Sequence, residues 1–156
     1  MFERILLAID DVNDCRAALD LVTNVTAEGT EVRALHLRVH ELSGFKWYSP
    51  ESRDQASLVA EAATFELRMT GLAAGGTVRQ VPVDRVAQAI LVEAKGFEAQ
   101  LIVLGSPRRG EVLARLFGSV THRVIQRSPC PVIVAPRRPA VGRPSIASAS
   151  APGHLS

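Results

Sequence analysis

The sequence predicts an α/β fold built on a doubly wound parallel sheet, from three of its features. Short unbroken apolar runs such as Ile5–Ile9 and Leu101–Leu104 are what strands buried on both faces look like. Longer stretches between them repeat apolar residues at helical spacing, and the two kinds of segment alternate along the chain. Sheets of this kind bind ligands beyond the carboxyl ends of their strands, where the strand order reverses, and Asp10 and Gly105 both stand at such ends.

Taken in order, Ile5–Ile9 forms the first strand and Asp10-Asp11 ends it. Asn13 or Asp14 then caps a helix from Cys15 to about Ala27, with Ala17, Ala18, Leu21, Val22 and Val25 at helical spacing and Gly29 as the stop. Val32–Val39 is the second strand, placing Leu35, Leu37 and Val39 on one face and Ala34, His36 and Arg38 on the other. Residues 40–49 read as a loop. After Pro50 a long helix runs through Leu58, Val59, Ala62, Ala63, Phe65 and Met69 until Gly71, Gly75 and Gly76 break it. Thr77–Val83 is the third strand, and Pro82 confines it to a sheet edge or cuts it short. A helix from about Arg85 to Lys95 turns Val86, Ala89, Ile90 and Ala94 inward and stops at Gly96. Leu101–Leu104 is the fourth strand. The last helix is expected from Ser119 to Arg127, and Pro129 and Pro131 bracket the final strand, Pro131–Val134.

A chain of 156 residues, 47% hydrophobic and 22% charged, is sized for one domain with a substantial core. Residues 1–136 carry all the predicted elements. From Arg137 to Ser156 the sequence is rich in Pro, Ser, Ala and Gly and is expected to be a disordered tail. No internal repeat is visible, which excludes a tandem duplication within this chain. A net charge of +2 is too small to indicate nucleic acid, and the seven aromatic residues do not interleave with the arginines. Two cysteines without CxxC spacing fit a reducing compartment and neither zinc nor a disulfide framework. Met1-Phe-Glu-Arg enters a strand at once, no apolar run is long enough to span a bilayer, and the expected location is cytoplasmic.

The segment Gly105-Ser-Pro-Arg-Arg-Gly110-Glu-Val-Leu-Ala-Arg-Leu-Phe-Gly118-Ser119-Val120-Thr121 holds most of the chemistry. A strand feeds it, and a helix beginning near Ser119 would leave it. The Ser119 hydroxyl would cap the first orphan amides, and the amides of Val120 and Thr121 would face an anion with the positive end of the helix dipole behind them. Small residues at Gly118 and Ser119 would let a phosphate approach the backbone closely.

This spacing resembles that of the universal stress protein (UspA-like) family, whose nucleotide-binding members carry Gly, two residues, Gly, nine residues, then Gly and Ser or Thr after the fourth strand. Gly105, Gly118 and Ser119 are in register with that pattern, whereas Arg108 occupies the position of the second glycine. Arg108 either obstructs a phosphate or donates to it. Ile5-Leu-Leu-Ala-Ile-Asp10 and Pro129-Cys-Pro-Val-Ile-Val-Ala-Pro136 bound the similar region. The resemblance implies a five-stranded sheet in the order 3-2-1-4-5 with helices on both faces, of the adenine nucleotide alpha-hydrolase-like type. It also implies an adenine nucleotide (ATP, ADP or AMP), with magnesium, as ligand, a role in the stress response through protein partners, and a homodimer through the last strand. Asp10 matches the aspartate beside the adenosine, Ala8 and Leu37 match positions lining the base, and Leu104 precedes the first glycine. On their own, Asp10 reads equally as an Asx turn or helix cap, and the three apolar residues as core.

Other chemistries find less support. Gly105–Gly110 has the glycine spacing of a P-loop, but Glu111 and Val112 stand where Lys and Ser or Thr are required, and no GxGxxG follows a strand. Asp10-Asp11 would suit a magnesium-dependent phospho-receiver, yet Arg137 stands near the place of the needed lysine. His36 and His40 read as surface or loop histidines without a third ligand, and Cys15 and Cys130 as small buried hydrophobes. Ser119 has no nucleophile elbow, and no general base stands out, which leaves at most a slow ATPase. A nucleotide-independent dimeric interaction protein of the same fold is the alternative that Arg108 favours.

Overall fold

The structure, a computed structural model, describes residues 1–10, 15–105 and 111–136, the side chains of 111–117 excepted. Its elements are β1 (Arg4–Ile9), α1 (Arg16–Val25), β2 (Glu31–Ser43), β3 (Lys46–Tyr48), α2 (Arg53–Met69), β4 (Ala73–Pro82), a 3-10 turn (Val83–Arg85), α3 (Val86–Phe97), β5 (Leu101–Leu104), α4 (Glu111–Arg127) and β6 (Val132–Val134). Five strands are parallel and lie in the spatial order β4-β2-β1-β5-β6, the 3-2-1-4-5 arrangement when they alone are counted along the chain. The sheet holds six strands rather than five, because β3 pairs antiparallel with the far end of β2.

Both faces of the sheet are covered, as the unbroken apolar runs require. Ile5, Leu7 and Ile9 of β1 pack with Val32, Ala34, Leu101 and Val103 against α1 and α2. The alternate residues Leu6 and Ala8 join Leu35, Ile102 and Leu104 beneath α3 and α4. This alternation along β1 and β5 fixes the register, since a slip of one residue would exchange the two cores. β1 and β5 are therefore the centre of the sheet, buried on both faces.

Several boundaries differ from the sequence reading, each for a local reason. Residues 40–49 are a hairpin instead of a loop: β2 continues to Ser43, and Gly44 (φ 61°) opens a two-residue turn into β3. Phe45 has an ordinary negative φ, so the turn is of the II′ kind, with glycine at its first central position. β4 starts at Ala73, ahead of the predicted Thr77, and absorbs Gly75 and Gly76. A Cβ on Gly76 would lie 2.7 Å from the Thr64 hydroxyl oxygen and 3.1 Å from the Ala60 carbonyl, so the glycine there lets α2 sit close on the sheet. α3 passes through Gly96 and ends at Phe97, with Glu98 taking the left-handed conformation (φ 55°). Pro82 does close an edge strand, β4 being bonded to β2 alone among the strands.

On α2 the buried residues are Ala56, Ala60, Ala63, Thr64 and Leu67, while Leu58, Phe65 and Met69 are exposed. Ser52 starts this helix with a capping box, its hydroxyl accepting from the Gln55 amide while the Gln55 side chain accepts from the Ser52 amide. The final helix departs most from expectation: α4 begins at Glu111, eight residues ahead of Ser119.

Candidate functional site

The strand order reverses between β1 and β5, since β1 leads across to β2 on one side and β5 leads to β6 on the other. At their carboxyl ends Ala8 is paired with Leu104, and the Gly105 amide donates to the Ala8 carbonyl at 2.9 Å. This is the crevice position of a doubly wound sheet. Ala8, Leu104 and the half-buried Leu37 gather here on the face covered by α3 and α4. Asp10 follows directly on β1, half-buried and already engaged with neighbours in the chain. The fold therefore brings together four of the residues singled out from sequence: Ala8, Asp10, Leu37 and Leu104.

Gly105 joins them with a packing duty of its own. A Cβ at this residue would lie 2.5 Å from the Sγ of Cys15, which is buried at the start of α1, and 3.4 Å from the Ala8 carbonyl. Glycine is thus required here by the approach of α1 to β5, whatever occupies the crevice. Arg108 lies outside the described residues.

The remaining four, Gly118, Ser119, Val120 and Thr121, sit in the interior of α4, and this overturns the expected capping geometry. Ser119 is not an N-cap, and the amides of residues 118–121 fall where each bonds the carbonyl four residues earlier. The cause is local propensity: Glu111-Val-Leu-Ala-Arg-Leu-Phe is a run without glycine or proline, and an acidic residue at its head complements the helix dipole. Reading the helix start from the glycine motif alone passed over that run. Gly118 and Ser119 are exposed, whereas Val120 turns inward beside Val124, under the same sheet face as Ala8 and Leu104.

His36 is the feature that sequence reasoning misplaced. Rather than lying at the surface, it is buried (1% exposed) between β1 and the approach to α2. Its Nδ1 lies 2.9 Å from the Ile9 carbonyl, and its Nε2 is 2.9 Å and 2.8 Å from the two carboxylate oxygens of Glu51. Arg38 adds a bond from its Nε to the Glu51 carbonyl (2.7 Å), and the Ser49 hydroxyl donates to the Val39 carbonyl (2.8 Å). Together they fasten residues 49–51 to the end of β2, one strand from Asp10. The signal was present: His36 shares a strand face with Ala34, a position the sheet buries. His40, by contrast, stacks edge-on against Trp47 with ring centroids 4.8 Å apart.

Among the described residues no cluster of three His, Cys, Asp or Glu is placed to hold a metal ion, and no helix is long and apolar enough to cross a membrane. Cys15 is buried as expected, while Cys130 is only half-buried.

The model of the "Universal stress protein family" matches residues 1–136. A universal stress protein of Thermus aquaticus is 32% identical over 139 residues, which are 86% of this chain and 98% of that protein. Among solved structures, the universal stress protein of Archaeoglobus fulgidus in complex with dAMP superposes with a TM-score of 0.61 at 23% identity, covering 85% of this chain and 97% of that one. A family protein of Arabidopsis thaliana with AMP bound gives a TM-score of 0.60 at 17% identity, covering 86% and 92%.

Proposed function

Because the chain belongs to the universal stress protein family, we propose that it binds an adenine nucleotide at the carboxyl ends of β1, β2 and β5 and acts through protein partners in the stress response. The observation that supports this reading best is the convergence of Ala8, Leu37, Leu104 and Asp10 at the point where the strand order reverses. The three apolar residues offer a floor for a purine. Asp10 offers a carboxylate that accepts from a ribose hydroxyl or a purine amine. Family structures that hold dAMP and AMP make the adenine nucleotides the ligands of choice.

The phosphate end fits only after a change. In the described conformation the amides of residues 118–121 lie within α4 and do not face an anion. Nucleotide binding therefore unwinds α4 from Glu111 as far as Gly118, so that Ser119 becomes the helix cap and the amides of Val120 and Thr121 take the phosphates. Arg108 supplements them with guanidinium donors. Magnesium would accompany a di- or triphosphate, held mainly by the phosphates and water, with no residue of the chain assigned to it. The chain's own contribution is to bind and position; catalysis has no residue assigned to it.

Residues 1–136 are the functional domain, and β6, at the sheet edge opposite β4, pairs with its equivalent in a homodimer. The location is cytoplasmic. Isothermal titration with ATP, ADP, AMP and cyclic AMP tests the ligand directly, and no heat of binding at millimolar concentration refutes it. The uninterrupted α4 favours a second reading, a nucleotide-independent interaction protein of the same fold. It predicts the dimer in light scattering without any ligand response, and a monomer at high concentration refutes it.

A further inference from the structure

The outward face of α2 carries a second apolar stripe. Leu58 (63% exposed), Ala62, Phe65 (63%) and Met69 (70%) recur at intervals of four, three and four, on the side of the helix opposite the buried Ala56, Ala60, Ala63 and Leu67. That spacing is the a/d repeat of a helix seam, and here it is complete on a surface that nothing among the described residues covers. Large exposed residues in a continuous line on one helix are a patch, unlike the single apolar side chains that any surface shows.

We propose that this stripe is a second self-association surface, on which α2 of one copy packs antiparallel against α2 of another. The sequence of the stripe is complementary to itself in that orientation. With the two-fold axis midway between residues 63 and 64, Leu58 meets Met69 of the second copy and Ala62 meets Phe65, so a small residue faces the largest one. Charges agree with the same register. Glu61 and Arg68 flank the stripe on one side, and antiparallel packing sets Glu61 of each copy near Arg68 of the other, giving two opposite-sign pairs. On the other flank Glu66 is already neutralised within the chain by Arg16, at 3.0 Å. A parallel pair would instead bring Glu61 of each copy towards Glu66 of the other, two carboxylates. One helix pair is small beside the ~1,200 Å² of a standard stable interface, so association in the micromolar range is expected. This surface lies on a helix, away from the β6 edge, so it would join dimers rather than replace them.

Sedimentation equilibrium of the full chain tests it, with Val134→Asp used to silence the β6 edge. The Val134→Asp variant should still dimerise with rising concentration, and adding Phe65→Glu should raise the dissociation constant at least tenfold. Circular dichroism checks that each variant keeps its fold, which an exposed site permits. Orientation is read by cysteine cross-linking. Leu58→Cys/Met69→Cys should give an oxidised dimer, because the two positions are about 16 Å apart along one helix and cannot join within a chain. Leu58→Cys alone should not. A monomeric Val134→Asp variant, a mass indifferent to Phe65→Glu, or equal cross-linking of the single cysteine variant would each overturn the proposal.

Discussion

Gly118 is the residue at which helix and ligand would compete, and Gly118→Ala measures the competition. In the structure this glycine is exposed inside α4, and a Cβ added to it meets nothing within 4 Å. Packing therefore gives no reason for glycine, and the substitution should stabilise the helix by the ordinary difference in propensity, about 0.8–1 kcal/mol. For a chain of this size that corresponds to a rise in melting temperature of about 3 °C. If nucleotide binding unwinds α4 as far as residue 118, the same energy must be returned on binding, and AMP or ATP affinity should fall about fivefold, at 1.4 kcal/mol per factor of ten. Ala114→Gly reverses the sign: it weakens the same helical segment without touching the residue beside the phosphates, so it should lower the melting temperature and tighten binding. Scanning calorimetry and isothermal titration on both variants supply the two readouts. A Gly118→Ala protein that melts higher but binds nucleotide as well as the parent would refute the unwinding. A loss of affinity in both variants would show that residue 118 acts by contact alone.

Three further substitutions probe the frame of the crevice. Gly105→Ala should destabilise the chain by about 1–3 kcal/mol in urea denaturation, because its methyl group would overlap the Cys15 sulfur. Cys15→Ala should recover most of that loss, and a double-mutant cycle giving a coupling near zero would contradict the packing argument. His36→Phe removes both ring nitrogens that face the buried Ile9 carbonyl and Glu51, and should cost about 1–3 kcal/mol; an equal loss in Glu51→Ala is not expected, since Glu51 is partly exposed. Glu93 is buried between Arg33 (2.8 Å) and Arg79 (3.1 Å), which join β2 and β4 to α3. Both arginines reach solvent, so Glu93→Ala should cost about 1–2 kcal/mol, below the 3–5 of a fully buried pair, and a neutral result would show that the bridge is only a surface contact.

What the chain disclosed beforehand followed from how local each signal was. Ile5–Ile9 and Leu101–Leu104 could be strands from their own residues, because a run with no polar position has to be buried on both faces. The hairpin of residues 40–49 was invisible for the opposite reason: Leu42, Trp47 and Tyr48 are exposed, so no burial alternation marks them, and only Gly44 hints at the turn. Along α2 two apolar stripes coexist, and periodicity cannot say which of them faces the sheet. The structure answers through size. Ala56, Ala60 and Ala63 are the small residues that let the helix lie close over Gly76, whereas Phe65 would hold it off.

The glycine pattern shows why a motif fixes residues without fixing what they do. Gly105 is demanded by Cys15 at a distance that no methyl group tolerates, so in this chain its presence does not depend on a ligand. Gly118 is demanded by nothing that touches it, and it weakens a helix whose neighbours otherwise favour it. Of the two matched glycines, only the second therefore carries information about a ligand, since a residue that is unfavourable in the described state needs another state to account for it. On the proposed reading Arg108 bears on the phosphate end alone, because the adenosine side proposed at Ala8, Leu37, Leu104 and Asp10 rests on strands, or directly follows one, that the core holds in place. A nucleoside without phosphates should accordingly bind Gly118→Ala and the parent chain equally, while AMP distinguishes them.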